Sequence, residues 1–182
     1  SLSRNKFTAL PRGITQIGSL KTLALRYNKL TNLPQEIVKL KNLESLDVYN
    51  NKLKVIPEQL AQLRQLKTLC LANLGITTLP KTFSQLKQLK VLDLSQNKLI
   101  TFPQSIIQLP NLKELNLYVN KLTTLPQNIV QLKNLEVLNL SDNKLTTLPQ
   151  SITLLKNLKE LDLSGNQLTT VPQSIAQLQN LK

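Results

Sequence analysis

Proline falls at 11, 34, 57, 80, 103, 126, 149 and 172, so that every step is 23 residues. Leucine keeps the same interval at 20, 43, 66, 89, 112, 135, 158 and 181. Self-similarity at a fixed period marks a stacked array, and it takes precedence over any element-by-element reading. Only Pro110 is off the grid, and no insertion or linker interrupts it. Seven full units therefore span 20–180, residues 1–19 are the back end of an earlier unit, and 181–182 begin another. The expected organisation is a single domain over 1–182.

Each unit reads Leu-x-x-Leu-x-Leu-x-x-Asn-x-Leu-x-x-Leu-Pro-x-x-Ile-x-x-Leu-x-x, with the first Leu (Leu135, for example) as position 1. The period changes inside the unit. Leu138-Asn139-Leu140 alternates as a short strand does, whereas Leu148, Ile152 and Leu155 follow helical spacing. Pro149 is expected at the first helical position, where an N–H is not needed. A strand–turn–strand connection of this kind makes neighbouring strands parallel and the coil right-handed. A unit this short cannot bury its apolar stripe alone, so units stack and the core runs the length of the array. The fold class is thus α/β: a right-handed solenoid with a concave parallel sheet and short α or 3-10 turns on its convex side.

Asn5, Asn28, Asn51, Asn97, Asn120, Asn143 and Asn166 share one column. Stacked amides with two donors each can satisfy backbone groups where the chain leaves the strand. In the third unit Leu74 occupies that slot and Gly75 follows where six other units carry Lys, so a local irregularity is expected there.

With the leucines at positions 4 and 6 pointing inward, positions 3, 5 and 7 face outward and position 8 lies at the rim. Arg26, Tyr27, Asp47, Tyr49, Asp93, Glu114, Asn116, Tyr118, Asn139, Asp142, Glu160 and Asp162 are the candidate contacts of a protein partner on this face. Asp93 on this face is expected to have no structural duty, its replacement by Ala costing no more than about 0.5 kcal/mol. All three tyrosines fall in these rows, and Tyr and Arg are enriched among interface hot spots.

Net charge is +13 from 23 Lys+Arg against 10 Asp+Glu. Six acids but only Arg4 and Arg26 among the basic residues lie in the concave rows, leaving that face at −4 and the remainder at +17. The other lysines are expected to form solvated rims that keep the array soluble.

Composition narrows the chemistry. There is no His, and Cys70 is the one cysteine, so imidazole triads, Cys/His zinc sites and intrachain disulfides have no residues to use. Cys70 on a regular strand has no base beside it. No glycine-rich phosphate loop is present, with only four Gly in the chain. A cation over Asp142, Glu160 and Asp162 would want a more enclosed oxygen cage, so neither metal nor cofactor is expected. No apolar run is long enough to span a membrane. Aromatics make up 3% of the chain, which gives nucleic acid few stacking platforms.

The consensus, repeated in register over the whole chain, resembles leucine-rich repeat proteins. The 23-residue Leu-Pro-x-x-Ile-x-x-Leu form is similar both to intracellular eukaryotic arrays and to bacterial arrays of the kind numerous in spirochaetes. The near-identical stretches at 121–127 and 144–150, with abundant Lys, Gln and Asn, favour the bacterial group. The resemblance implies a non-enzymatic recognition module that binds a protein on the concave face, a host protein being one such partner. It also implies a secreted or surface location, the cytoplasm being the alternative. The rivals are a polyanion binder, taking glycosaminoglycan or nucleic acid on basic rims, and an intracellular scaffold. The chain opens at Ser1 without an initiator Met, as a processed or trimmed chain does. Neither end carries a recognisable cap, so self-association through open ends is a further expectation.

Overall fold

The computed structural model describes every residue except Lys54. Three-residue strands alternate with 3-10 turns: β1 (Thr22–Ala24), β2 (Ser45–Asp47), β3 (Thr68–Cys70), β4 (Val91–Asp93), β5 (Glu114–Asn116), β6 (Val137–Asn139) and β7 (Glu160–Asp162). They form one parallel sheet in chain order. Register is kept at 23 residues throughout, from Leu23↔Leu46 to Leu138↔Leu161. The architecture is a right-handed solenoid, with the sheet concave and the turns convex.

Each convex turn is a five-residue 3-10 helix, such as Gln150–Leu154. Among the described residues no α-helix forms, because the unit leaves room for only one tight turn before the chain must return. Proline precedes the turn instead of opening it. Pro149 is the N-cap in extended geometry, and its carbonyl accepts the first bond from the Ile152 N–H at 3.1 Å. The pyrrolidine's fixed φ thus sets the entry angle, while the turn's own first residue is a glutamine.

Leu25, Leu46, Leu71, Leu94, Leu117 and Leu140 are fully or almost fully enclosed, and they join the turn residues Ile37, Phe83, Ile129 and Ile152 in one continuous core. Positions 4 and 6 therefore face inward, as the alternation requires.

The asparagine column is a ladder, buried at Asn28, Asn51, Asn97, Asn120 and Asn143, half-buried at Asn166 and exposed at Asn5. In Asn97 the amide nitrogen donates to Leu71 O (2.9 Å), Leu94 O (2.9 Å) and Ser95 O (3.2 Å). Asn51, Asn120 and Asn143 repeat the pattern, and each Oδ1 accepts a backbone N–H from the preceding unit. Each amide is thereby a clamp between two units. The irregularity expected in the third unit is present: Asn97 Oδ1 accepts from both Leu74 and Ile76, and Gly75 takes φ +73°. One amide supports the loop that Leu74 cannot.

Candidate functional site

The concave face is built on a backbone device that recurs in five of the seven full units. The chain bends out of the strand after position 6, so the position-7 N–H misses the sheet ladder. The position-5 side chain supplies its acceptor. Tyr49 N–H donates to Asp47 Oδ1 (3.0 Å), Ser95 to Asp93 (2.9 Å), Tyr118 to Asn116 (3.0 Å), Ser141 to Asn139 (2.9 Å) and Ser164 to Asp162 (3.0 Å). These are Asx-turns, and they give Asp93 and its row a structural duty that the sequence reading did not assign. Ser164 holds the Asp162 carboxyl below its usual range through its hydroxyl and its N–H. In β1 the residue is Ala24 and has no acceptor to offer, so Ser3 Oγ, from the leading partial unit, takes the Arg26 N–H at 3.1 Å.

Position 8 is left-handed. Arg4, Tyr27, Asn50, Asn73, Gln96, Val119 and Asp142 have φ between 50° and 59°, and Gly165 has φ 64°. Asn, Asp and Gly tolerate this region; Tyr is poorly suited to it, and β-branched Val least of all. At Gly165 a Cβ would stand 2.1 Å from Asp142 Oδ1 and 3.2 Å from Asp142 Cα, so a side chain there would have to displace the Asp142 carboxylate.

Two groups of side chains stand out on this scaffold. Over β1 and β2, Arg4 lies 5.5 Å from the Tyr27 ring centre, and Tyr27 meets Tyr49 edge-on at 5.2 Å. Arg26 Nε donates to Asp47 Oδ2 beside them. The pairing with Asp47 raises the Arg26 pKa, while burial and then Tyr27 push the Tyr49 phenol up. The second group is Tyr118 with Val119 at the end of β5. Tyr27 and Val119 remain 42% and 37% exposed despite their strained backbone.

The other candidates are spread one or two to a strand. Glu114, Glu160, Asp162 and Asp142 are exposed; Asp93, Asn116 and Asn139 are half-buried. A shallow depression of about 260 Å³ over β4–β6 is lined by Val91, Asp93, Glu114, Asn116, Val137 and Asn139. Among the described residues no three of His, Cys, Asp and Glu gather as a metal site, so Asp142, Glu160 and Asp162 do not make a cation cage. Cys70 lies 3.7 Å from Asp93 Oδ2, and burial pushes its thiol up to about 12, which keeps it protonated and unreactive.

One rim differs from its sequence reading as solvated lysine. Glu44 bridges Lys67 (2.7 Å) and Lys21 (3.7 Å), and Glu136 bridges Lys113 (2.6 Å) and Lys159 (2.5 Å). The position-2 row reads Lys21, Glu44, Lys67, Lys90, Lys113, Glu136, Lys159, so the signal was the pair of acids each flanked by lysines.

The leucine-rich repeat family model matches residues 72–122, 110–168 and 133–182, and a second model, of leucine-rich repeat regions, matches 9–75. The chain belongs to the leucine-rich repeat family. Internalin C2 of Listeria monocytogenes is similar over all of this chain and 76% of its own, at 28% identity and a TM-score of 0.89. The plant peptide hormone receptor RGFR1, solved in complex with RGF2, matches over all of this chain at 29% identity and a TM-score of 0.85. This chain spans only 30% of that receptor's length. TLR13 in its complex with ssRNA13 matches over 96% of this chain and 26% of its own, at 33% identity and a TM-score of 0.84. No curated protein matches significantly. Among the described residues no helix of this repeat array is long and apolar enough to cross a membrane.

Proposed function

We propose that this leucine-rich repeat array is a non-enzymatic recognition module that binds a protein partner on its concave face. One observation carries the reading: Tyr27 and Val119 keep exposed apolar side chains at positions where the backbone favours Asn, Asp or Gly. Strain of this kind costs about 1–3 kcal/mol per residue and persists only where the surrounding structure fixes it, as the repeat does at position 8; it is the choice of exposed Tyr and Val there that points to recognition. Both residues adjoin a tyrosine of the neighbouring row, giving two aromatic–apolar anchors that rise from a polar sheet. Arg26, Asp47, Asp93, Glu114, Asn116, Asn139, Asp142, Glu160 and Asp162 then supply the polar surround, whose role is complementarity more than energy. The structure of RGFR1 with RGF2 supports the same use of the fold. A secreted or surface location goes with this reading through the resemblance to bacterial arrays.

The test is capture of a partner from a mixture of extracellular host proteins, followed by titration of that partner against variants. Tyr49→Ala and Tyr118→Ala should each weaken binding by about tenfold or more with circular dichroism unchanged. Lys98→Gln with Lys121→Gln should leave it within about twofold at physiological salt. Loss with the lysine pair and none with the tyrosines would overturn the concave-face assignment.

A further inference from the structure

We propose that a second surface, the edge just beyond the asparagine ladder, binds a linear sulfated polysaccharide. Lys6, Lys29, Lys52, Lys98, Lys121 and Lys144 follow the ladder residue in their units, and all are exposed. The backbone of five of them is held in register. Lys29 N–H donates to Phe7 O, Lys52 to Leu30 O, Lys98 to Ile76 O, Lys121 to Leu99 O and Lys144 to Leu122 O, each at 2.8 or 2.9 Å. The row thus advances by about one strand spacing, roughly 4.8 Å, per unit. Only the side-chain stems are free to adapt.

None of these six takes part in an ion pair among the described residues, whereas Lys21, Lys67, Lys113 and Lys159 on the other rim share Glu44 and Glu136. A solubility face needs charge, but it needs neither register nor a single sign. Like charges at this spacing lie inside the Debye length of about 8 Å at physiological salt, so each raises the potential at the next. The complementary ligand is a chain bearing a regular file of anions, which gains by releasing its own counterions. The row breaks at Gly75, where Lys98 leans across: its Cε lies 3.9 Å from the place a Cβ on Gly75 would occupy.

The surroundings favour a sugar over a nucleic acid. All three tyrosines lie on the concave side, Phe83 and Phe102 are buried, and Phe7 packs against the core. The row therefore offers bases no ring to stack on. Two residues along the chain from Lys29, Lys121 and Lys144, Thr31, Thr123 and Thr146 are exposed and present hydroxyls suited to a hydroxylated chain, while Lys98 is followed there by the exposed Ile100.

Binding to size-fractionated heparin, measured by calorimetry over a range of NaCl, tests this with two variants that each lose four positive charges. One is K52Q/K98Q/K121Q/K144Q, in the row; the other is K39Q/K41Q/K133Q/K156Q, off it. The row variant should bind about tenfold or more weakly at physiological salt, with its log–log salt slope reduced by about three. The off-row variant should stay within about twofold, and arginine at the four row positions should retain binding. Equal losses in the two glutamine variants, or none in the row variant, would overturn the proposal, because the attraction would then be net charge alone. A single-stranded oligonucleotide of matched charge is the second probe; binding as tight as heparin's would assign the row to nucleic acid and refute the sugar.

Discussion

At position 8 the backbone and the side chain ask for different residues, and Val119 is where the conflict is sharpest. With φ at 50°, Val119→Asn should stabilise the array by about 1 kcal/mol, read as a raised thermal midpoint, while it weakens the concave-face partner. A melt that drops, or binding that survives, would detach the strain from recognition. Asn97 sits at the opposite extreme, its two amide hydrogens shared among three carbonyls and its oxygen accepting from two N–H groups. Asn97→Leu should cost about 3 kcal/mol or more in urea unfolding, and more than the same change at Asn120, which accepts from one N–H where Asn97 accepts from two. Asp93→Ala should cost about 1 kcal/mol and Asp93→Asn much less, since an amide oxygen still accepts from the Ser95 N–H. The ladder was legible in the sequence because one residue type fills one column. The Asx row was not, because Ala24 and Cys70 interrupt it and its Asp and Asn members look like any polar sheet face.

The turns and rims show what the repeat pattern encodes at the level of elements. Leucine and proline spacing was enough to place every strand and every convex turn. It could not distinguish proline inside a turn from proline before it, a difference of one residue that rests on which carbonyl accepts the first bond. Charges lay further from view, since the ion pairs of Glu44 and Glu136 join residues 23 apart that only the stacking brings together. Their consequence is an acid limb. Lys113 and Lys159 hold Glu136 at about 2, below the ordinary 4.5. Between those values the unfolded chain binds more protons than the folded one, so stability rises with pH across the window. It is fully present above about 4.5 and lost as pH falls toward about 2. Glu44, lowered first by Lys67, contributes with the same sign. Urea midpoints followed through that window should depend less steeply on pH in Glu136→Gln than in the wild type. An unchanged slope would place the acid sensitivity elsewhere.

Across the whole molecule, the ladder amides of Asn97, Asn120, Asn143 and Asn166 fasten successive units in the same way, which makes those units interchangeable; the third unit, with Leu74 in the slot, is the exception. Asn143 Nδ2 reaches back to Leu117 O, and Asn166 Nδ2 to Leu140 O. Removing residues 122–144 would join Lys121 to Leu145, restore the same Lys-Leu-Thr-Thr-Leu-Pro-Gln junction, and present Leu117 O to Asn166. The shortened chain should fold with an unchanged circular dichroism spectrum per residue. A single residue inserted between Leu117 and Asn120 should cost several kcal/mol, because it carries that amide out of reach of every carbonyl it serves. Length in such a chain is therefore quantised. Unequal recombination between two like stretches of its gene would add or remove one strand's breadth of surface at a stroke, while point substitution rewrites the outward rows without touching the fastening. Reach and taste can then evolve on separate ledgers of mutation.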